Sequence, residues 1–442
     1  MRLCLPGALG QAGGAKLTEE ATATSRPESP AAPPPALIAR YADLAVRVGC
    51  NVRPGQTLVI RSLVATAGFA RAAAAAAYAA GAADVLVDWD DEQISLLRHR
   101  LAPEAALGTF PAWYAQGLEG LAAEGAAFLS IAAGDPDLLS GVDPRRIALA
   151  NRARRGALAG WFRHITGWTT PWCIVAVPTA GWAVKVFPGE EAPAAEARLW
   201  PLILQAMRLD GPEPVQAWRA HLDALAARAA HMNRAAFRAL HYRGPGTDLR
   251  VGLPAGHRWV SPPMEDPRGI PFVPNMPTEE IFTLPDRSDV EGTVAASLPL
   301  AYRGALIQDL RLRFAGGEVV EASARSGGEL LQGLLDTDPG ARRLGEVALV
   351  PCGSAVARLH TLFYHTLLDE NAACHLALGR AYPMCLEGGE HLDEEALLRR
   401  GANSSLEHVD FMIGSEALDV DGLTAQGTVV PLLRQGRWAF AV

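Results

Sequence analysis

Three short apolar runs decide the fold of the first half of the chain: DVLVDW at 84–89, AFLSIA at 127–132 and WCIVAV at 172–177. Short apolar runs of this length are expected for the buried strands of a parallel sheet. Helical sequence lies beside and between the runs, most clearly at 69–80, where nearly every residue is alanine, the strongest helix former. Strand and helix in alternation predict an α/β domain around a parallel sheet.

Upstream of this region, residues 1–36 are rich in Ala, Gly, Pro, Ser and Thr and end in SPAAPPPA. Such a segment cannot bury enough apolar surface to order itself, and its prolines favour extended chain. We therefore expect a disordered Ala/Pro-rich extension over 1–36 and a fold that begins near Leu37.

The boundary between two domains is predicted from a long helix and the break that follows it. Apolar residues recur at steps of three and four over 215–240, which is typical of an amphipathic helix. Gly244, Pro245 and Gly246 then interrupt the chain. The sequence therefore predicts an N-terminal α/β domain at 37–245 and a C-terminal catalytic, metal-binding domain at 246–442.

Downstream of that boundary the hydrophobic pattern changes its period. Leu310, Leu312 and Phe314 alternate with arginines before a Gly-Gly turn, which predicts a β-hairpin. Helices are expected at 327–336 and 357–368. The prediction for the C-terminal domain is an α+β fold with a largely antiparallel sheet.

Composition excludes several classes of function. The 442 residues are 49% hydrophobic and 20% charged, with a formal net charge of −8 and no basic stripe, so we expect no nucleic-acid partner. No apolar run reaches the length of about 18 residues that a membrane span needs, so we expect no membrane partner. Six scattered cysteines without a CxxC pair indicate reduced thiols in a cytoplasmic protein. The sequence contains neither HExxH nor GxSxG.

His408-Val409-Asp410 is the clearest candidate for chemistry. Residues i and i+2 of a strand point to the same face, so the imidazole and the carboxylate would converge. A charged pair at the end of a buried strand is costly unless something balances it, and a divalent cation would. The alternative is a local ion pair on a surface strand.

Glu279 and Glu280 lie in a proline-stiffened loop, PNMPTEEIFTLPD. Adjacent carboxylates could supply one metal ligand and one general base. The alternative is an exposed acidic turn.

Glu346 and His375 complete the set of candidates. Glu346 begins an apolar strand, although Arg342 and Arg343 could simply neutralise it, and His375 is surrounded by small apolar residues, as a core histidine would be. Together the candidates offer three carboxylates and two histidines, an inventory that suits one or two ions of the Zn²⁺ class.

Four motifs in a fixed order resemble the M29 family of metallo-aminopeptidases, the aminopeptidase T group. The resemblance covers roughly residues 37–442, and the motifs are NMPTEEIFTLPDRSDVEGTV, GARRLGEVALV, LFYHTLLDENAACHLALGRAYP and HVDFMIGS.

The resemblance implies a metal-dependent aminopeptidase that releases N-terminal residues from short peptides with a free N-terminus, using a metal-activated water. It implies a homodimer and two divalent ions, with zinc, cobalt or manganese as the candidates. A role near the substrate is implied for Tyr382. The implied metal ligands are Glu280, Glu346, His375, His408 and Asp410.

The mechanism follows as a hypothesis. Glu279 or Glu346 would carry the proton, and Tyr382 would donate a hydrogen bond to the oxyanion. The sequence leaves two alternatives open: another metallohydrolase, acting on non-peptide amides or phosphoesters, and a non-catalytic peptide- or metal-binding protein.

Overall fold

The computed structural model describes residues 33–442. Most of the predicted disordered extension over 1–36 lies outside these residues, and the first helix begins at Pro35. Within the described part of the chain, no helix is both long enough and apolar enough to cross a membrane.

The α-helices of the described residues are α1 (Pro35–Leu44), α2 (Ala67–Ala79), α3 (Glu92–Leu101), α4 (Glu104–Leu107), α5 (Ala112–Ala123), α6 (Pro144–Ala157), α7 (Ala159–Thr166), α8 (Ala180–Val186), α9 (Ala192–Ala206), α10 (Pro214–Ala235), α11 (Gly328–Leu335), α12 (Thr366–Asp369) and α13 (Glu394–Arg399).

The strands are β1 (Thr57–Leu63), β2 (Asp84–Asp90), β3 (Ala127–Ala132), β4 (Trp172–Ala176), β5 (Ala239–Gly244), β6 (Thr247–Gly252), β7 (Met264–Glu265), β8 (Pro271–Phe272), β9 (Asn275–Met276), β10 (Ile281–Thr283), β11 (Val290–Ala295), β12 (Leu300–Tyr302), β13 (Ala305–Ile307), β14 (Arg311–Ala315), β15 (Glu318–Ser323), β16 (Leu344–Leu349), β17 (His375–Gly379), β18 (His408–Met412), β19 (Asp419–Leu423), β20 (Val429–Arg434) and β21 (Arg437–Trp438).

The first sheet has the order β2-β1-β3-β4-β9, and each neighbouring pair is parallel. The three apolar runs form β2, β3 and β4, so the predicted parallel sheet of the N-terminal half is confirmed. The expectation of burial is wrong for β2, which lies at the edge of the sheet and has no buried residue. Its fifth strand, β9, comes from far downstream and pairs with β4.

Antiparallel pairing dominates the rest of the chain, as predicted. A four-stranded sheet has the order β10-β16-β17-β18, and an eight-stranded sheet has the order β15-β14-β11-β6-β5-β19-β20-β21. The predicted hairpin is formed by β14 and β15. The predicted boundary at 245/246 falls in the turn between β5 and β6, which pair with each other. The division into domains stays a prediction.

Two of the predicted helices differ from the observed ones. The helix expected over 215–240 ends at Ala235, because Ala236 adopts a left-handed conformation (φ 45°) and the chain continues into β5. The helix expected over 357–368 is wrong: a 3-10 turn and the short α12 stand there instead. Asp369 explains this difference, since its carboxylate accepts the backbone N–H groups of Phe363 (2.7 Å) and His365 (2.9 Å).

The cores of the two halves are continuous. Phe363, Leu367 and Leu368 pack into the hydrophobic cluster around the parallel sheet. The buried indole N–H of Trp182 donates a hydrogen bond to the Phe363 carbonyl at 2.6 Å, which also holds the two halves together. A second cluster fills the space between the eight-stranded and four-stranded sheets, and every residue of β16 and β17 is buried.

Candidate metal centre

One face of the four-stranded sheet carries the candidate ligands. Across the sheet Glu346 pairs with Ala377, and Ala377 pairs with Asp410, so these three residues form one row. His375 lies two residues before Ala377, and His408 lies two residues before Asp410, which places both histidines on the same face.

The opposite face of the same strands is apolar. Val347, Leu376 and Phe411 belong to the hydrophobic cluster that packs against the eight-stranded sheet. Alternation along each strand therefore separates the core face from the ligand face.

A β-bulge directs Glu346 onto the ligand face. The register between β16 and β17 shifts between Leu344 and Glu346, so that Leu344 pairs with Leu378 on the core face. A Cβ at Gly345 would lie 2.3 Å from the carbonyl oxygen of Arg380, so only glycine fits at the bulge. Bulges that redirect a side chain are common next to active sites.

Glu280 approaches the ligand face from the adjacent strand. It immediately precedes β10, whose Ile281 pairs with Leu349 of β16. Its carboxylate Oε2 lies 2.9 Å from His375 Nε2, and the same nitrogen lies 3.5 Å from Glu346 Oε1. Glu280, Glu346 and His375 thus form one group with metal-ligand spacing.

A second group forms on the other side of Glu346. His408 Nε2 lies 3.4 Å from Asp410 Oδ1 and 3.8 Å from Glu346 Oε2. In each group the ligand atoms lie within 4.8 Å of one another. Glu346 belongs to both groups, with one carboxylate oxygen toward each.

The histidines are oriented so that Nε2 faces the carboxylates. His375 Nδ1 lies 3.1 Å from the carbonyl oxygen of Ala373, and His408 Nδ1 lies 2.7 Å from that of Arg380. A carbonyl only accepts, so each Nδ1 carries a proton, and Nε2 is left as the ring nitrogen that would bind a metal ion, as in metal-bound histidines.

Unsatisfied buried oxygens show that the site fits a cation. Glu280 Oε2 and Asp410 Oδ1 are buried and make no hydrogen bond of acceptable geometry with any described residue. Buried polar atoms in folded proteins nearly always have a partner. Carboxylate oxygen and imidazole nitrogen together are ligands that suit zinc, cobalt and manganese.

The pKa values report an excess of negative charge. Burial raises the pKa of Glu346, and the Asp410 and Glu280 carboxylates raise it further. His375 and His408 act in the opposite direction and lower it. Burial opposes the charged form of His408, yet Asp410 and Glu346 raise the pKa of this imidazole to about 10.

Glu370 is a carboxylate beside this cluster that the sequence analysis did not single out. It begins a 3-10 turn, Glu370–Ala372, that packs against β18, and it is 9% exposed. Burial and then the Asp410 and Glu280 carboxylates raise its pKa well above the ordinary value. It forms no ion pair with any basic side chain of the described residues. A pair of acids, Asp369-Glu370, inside an apolar stretch was the signal that could have revealed it.

Tyr382 also lies at the cluster, as the resemblance implied. Its ring centroid is 4.8 Å from that of His408, and the two rings are tilted by 49°. Burial and then the Glu346 carboxylate raise the pKa of its hydroxyl well above the ordinary value, so the hydroxyl keeps its proton and can donate.

Glu279 does not join the cluster. Its Oε1 accepts a hydrogen bond from Arg208 Nη2 at 2.6 Å, and its Oε2 lies 3.8 Å from His221 Nε2. The backbone N–H of Glu279 donates to Asn371 Oδ1 at 2.7 Å, which fixes the segment that also carries Glu280. The structure therefore brings together the five ligand candidates, Tyr382 and Glu370. Glu279 lies apart from them and is paired with Arg208.

The fold and the paired ligand groups define a metal-dependent enzyme. The chain belongs to the M29 family of thermophilic metalloproteases, whose sequence model matches residues 36–438. It is 47% identical to aminopeptidase 2 of Geobacillus stearothermophilus, over 91% of this chain and 97% of the relative. It is also 47% identical to aminopeptidase T of Thermus aquaticus, over 90% of this chain and 97% of the relative.

A solved structure agrees with these sequences. Wild-type AmpT from Thermus thermophilus superposes with a TM-score of 0.87 at 44% identity, covering 92% of this chain and 99% of that chain. The chain is a metal-dependent aminopeptidase, and the two-part fold predicted from its sequence is confirmed.

Proposed function

We propose that this aminopeptidase holds two divalent ions that share Glu346 and releases N-terminal residues from short peptides. One ion would lie between Glu280, Glu346 and His375, and the other between Glu346, His408 and Asp410. The observation that carries the proposal is that the two oxygens of Glu346 belong to different ligand groups.

Charge balance supports two ions rather than one. Glu280, Glu346, Glu370 and Asp410 are four carboxylates in one buried region, and none pairs with a lysine or arginine within the described chain. Buried charge without compensation is costly, and two divalent cations would balance four negative charges. Zinc, cobalt and manganese all suit the mixed ligand set.

The free N-terminus of a peptide suits the same site. A protonated α-amine carries a positive charge, and the carboxylates of this cluster would attract it. The rest of a short peptide could then extend from the cluster with its first carbonyl near Tyr382, whose ring lies beside His408.

Divalent ions bound here would supply the acidity that activates a water and polarises the first peptide carbonyl. We assign the proton carrier to Glu370, whose carboxylate would take a proton from the water and return it to the leaving amine. Glu346 is occupied in both ligand groups, and Glu279 is bound to Arg208, so both of these earlier candidates are less available. Tyr382 would donate a hydrogen bond from its hydroxyl to the oxyanion.

A homodimer is supported by an exposed apolar surface on the N-terminal half. Helix α3 has no buried residue, and Ile94, Leu97 and Leu101 on it are 67%, 54% and 74% exposed. Trp113 at the start of α5 is 75% exposed. Apolar patches of this kind mark interaction sites, and a second copy is the occupant we propose. Light scattering should give twice the mass of one chain, and Leu97→Glu with Leu101→Glu should give the mass of one chain.

We also propose that the protein is cytoplasmic. The described cysteines, including the buried Cys50 and Cys173, are free thiols, as a reducing compartment maintains them.

The reaction is tested by hydrolysis of a leucyl chromogenic amide. We expect activity to vanish on chelation, to return with zinc, cobalt or manganese, and to be absent in His408→Ala, with metal content measured in parallel. Tight metal binding without hydrolysis of any peptide would contradict the proposal and favour a binding protein. Hydrolysis restricted to non-peptide amides or phosphoesters would favour another metallohydrolase.

A further inference from the structure

A polar cavity lies on the Glu279 side of the Glu279-Glu280 pair. Its volume is about 260 Å³, and Glu279, His221, Arg208, Arg228 and Arg358 are among the residues that line it. None of the five metal-ligand candidates lines this cavity. It is therefore distinct from the centre described above.

One arginine of the cavity is already balanced. Arg208 donates from Nη2 to Glu279 Oε1 at 2.6 Å and to His221 Nδ1 at 3.1 Å. His221 Nε2 donates to the carbonyl of Thr278 at 2.7 Å. Burial and then the Arg208 charge lower the pKa of His221 to about 4, so this imidazole is neutral near pH 7. Arg208 and Glu279 thus form a neutral pair.

The other two arginines form no ion pair with any described residue, and the charge of Arg358 is the smallest of the influences that lower the pKa of Glu279. Arg228 makes no hydrogen bond or ion pair within the described chain, its Nε is buried without a partner, and its guanidinium lies 5.3 Å from the ring centroid of Trp438. Arg358 donates from Nη1 to the carbonyl of Gly353 and pairs with no carboxylate of the described residues. Asp210 lines the cavity but is exposed and within ion-pair distance of neither arginine.

We propose that this cavity binds a small oxyanion between Arg228 and Arg358. Guanidinium groups present pairs of N–H donors that match the oxygens of phosphate and carboxylate groups. The Arg228 guanidinium makes no hydrogen bond to any described residue, and an oxyanion bound in the cavity would accept from its N–H groups. The ligand could be free phosphate or the carboxylate of a peptide, which share this chemistry.

The test is calorimetric titration of inorganic phosphate into the full chain as purified. We expect saturable binding, and we expect Arg228→Gln and Arg358→Gln each to weaken it about tenfold, the loss of one charge-assisted contact. Arg219→Gln is the matched control, since Arg219 lies on the same helix, is exposed and does not line the cavity. It should change the affinity less than about twofold.

Two further arms separate the alternatives. Repeating the titration after chelation removes binding of phosphate to the metal ions, and the arginine-dependent binding should remain. Titration with an N-acetylated dipeptide, which has a carboxylate but no free amine, distinguishes a peptide carboxylate from free phosphate by which binds more tightly. Absence of saturable binding, equal affinity in all variants, or complete loss on chelation would overturn the proposal. Arg358 is exposed, so its variant keeps the test valid even if Arg228→Gln fails to fold.

Discussion

Two neighbouring residues, Glu279 and Glu280, belong to two differently built regions. Both carboxylates are buried, with Glu279 4% exposed and Glu280 9% exposed. Glu279 is paired with Arg208, whereas Glu280 shares its region with three more carboxylates and no lysine or arginine partner among the described residues. Burial alone therefore does not identify a metal ligand. The two glutamates differ in whether an arginine of the protein compensates their buried negative charge.

The largest expected effect comes from removing the ligand that the two groups share. Glu346→Gln should lower kcat/KM by about 10³-fold or more, because it weakens both metal sites at once. Metal content per chain should fall in the same preparation. Glu329→Gln, an exposed glutamate on α11, is the control and should keep both the activity and the metal. If Glu346→Gln keeps its full metal content and an unchanged kcat/KM, Glu346 is not the ligand that the two metal groups share.

The next effect concerns stability on the arginine side. Arg208→Gln leaves the buried carboxylate of Glu279 without its partner and should lower the free energy of unfolding by about 3 kcal/mol, as measured in urea. The double variant Arg208→Gln with Glu279→Gln should lose less, because no uncompensated charge remains. If Arg208→Gln is as stable as the wild type, Arg208 is not the group that compensates the buried charge of Glu279.

A pair of isosteric substitutions separates the two regions by function. Glu370→Gln should reduce kcat by about 100-fold with metal content retained, as expected for loss of a proton carrier. Glu279→Gln should leave kcat within a few-fold, because its carboxylate is bound to Arg208. The opposite outcome, with Glu279→Gln inactive and Glu370→Gln active, would return the role of proton carrier to Glu279.

The smallest effect is a pH dependence of stability that originates at His221. Its pKa is about 4 in the folded chain and about 6.5 in the unfolded chain. Between these values the unfolded chain binds a proton that the folded chain does not, so stability falls as the pH falls through this window. Between about pH 8 and about pH 5 the loss is about 2 kcal/mol, which His221→Asn should abolish. Urea unfolding of both proteins at both pH values measures it, and an equal pH dependence would contradict it.

Local pattern sufficed for the parts of the fold in which neighbouring residues act together. The apolar runs of β2, β3 and β4 predicted the parallel sheet, and alternation predicted the hairpin of β14 and β15. The pairing of His408 with Asp410 on one face of β18 followed from the period of a strand.

Long-range contacts set the rest, and sequence alone did not contain them. The partner of Glu279 is Arg208, 71 residues away along the chain, and the proximity of Glu370 to Asp410 depends on how the Glu370–Ala372 turn packs against β18. The bulge at Gly345 decides which face Glu346 occupies, and its cause is a close approach to the Arg380 carbonyl across the sheet. The failed helix at 357–368 has a similar origin, because Asp369 binds backbone N–H groups that the helix would have used.

The downstream origin of β9 has a consequence for how the protein is made. Residues 275 and 276 complete the edge of the parallel sheet beside β4, and Glu280 follows four residues later. A nascent chain on the ribosome cannot finish its first sheet until nearly two-thirds of its length has been synthesised, and the proposed ligand set stays incomplete until Asp410 has emerged. With the proposed ligands, the metal site would be complete only near the end of synthesis, so unfinished chains would not cleave peptides.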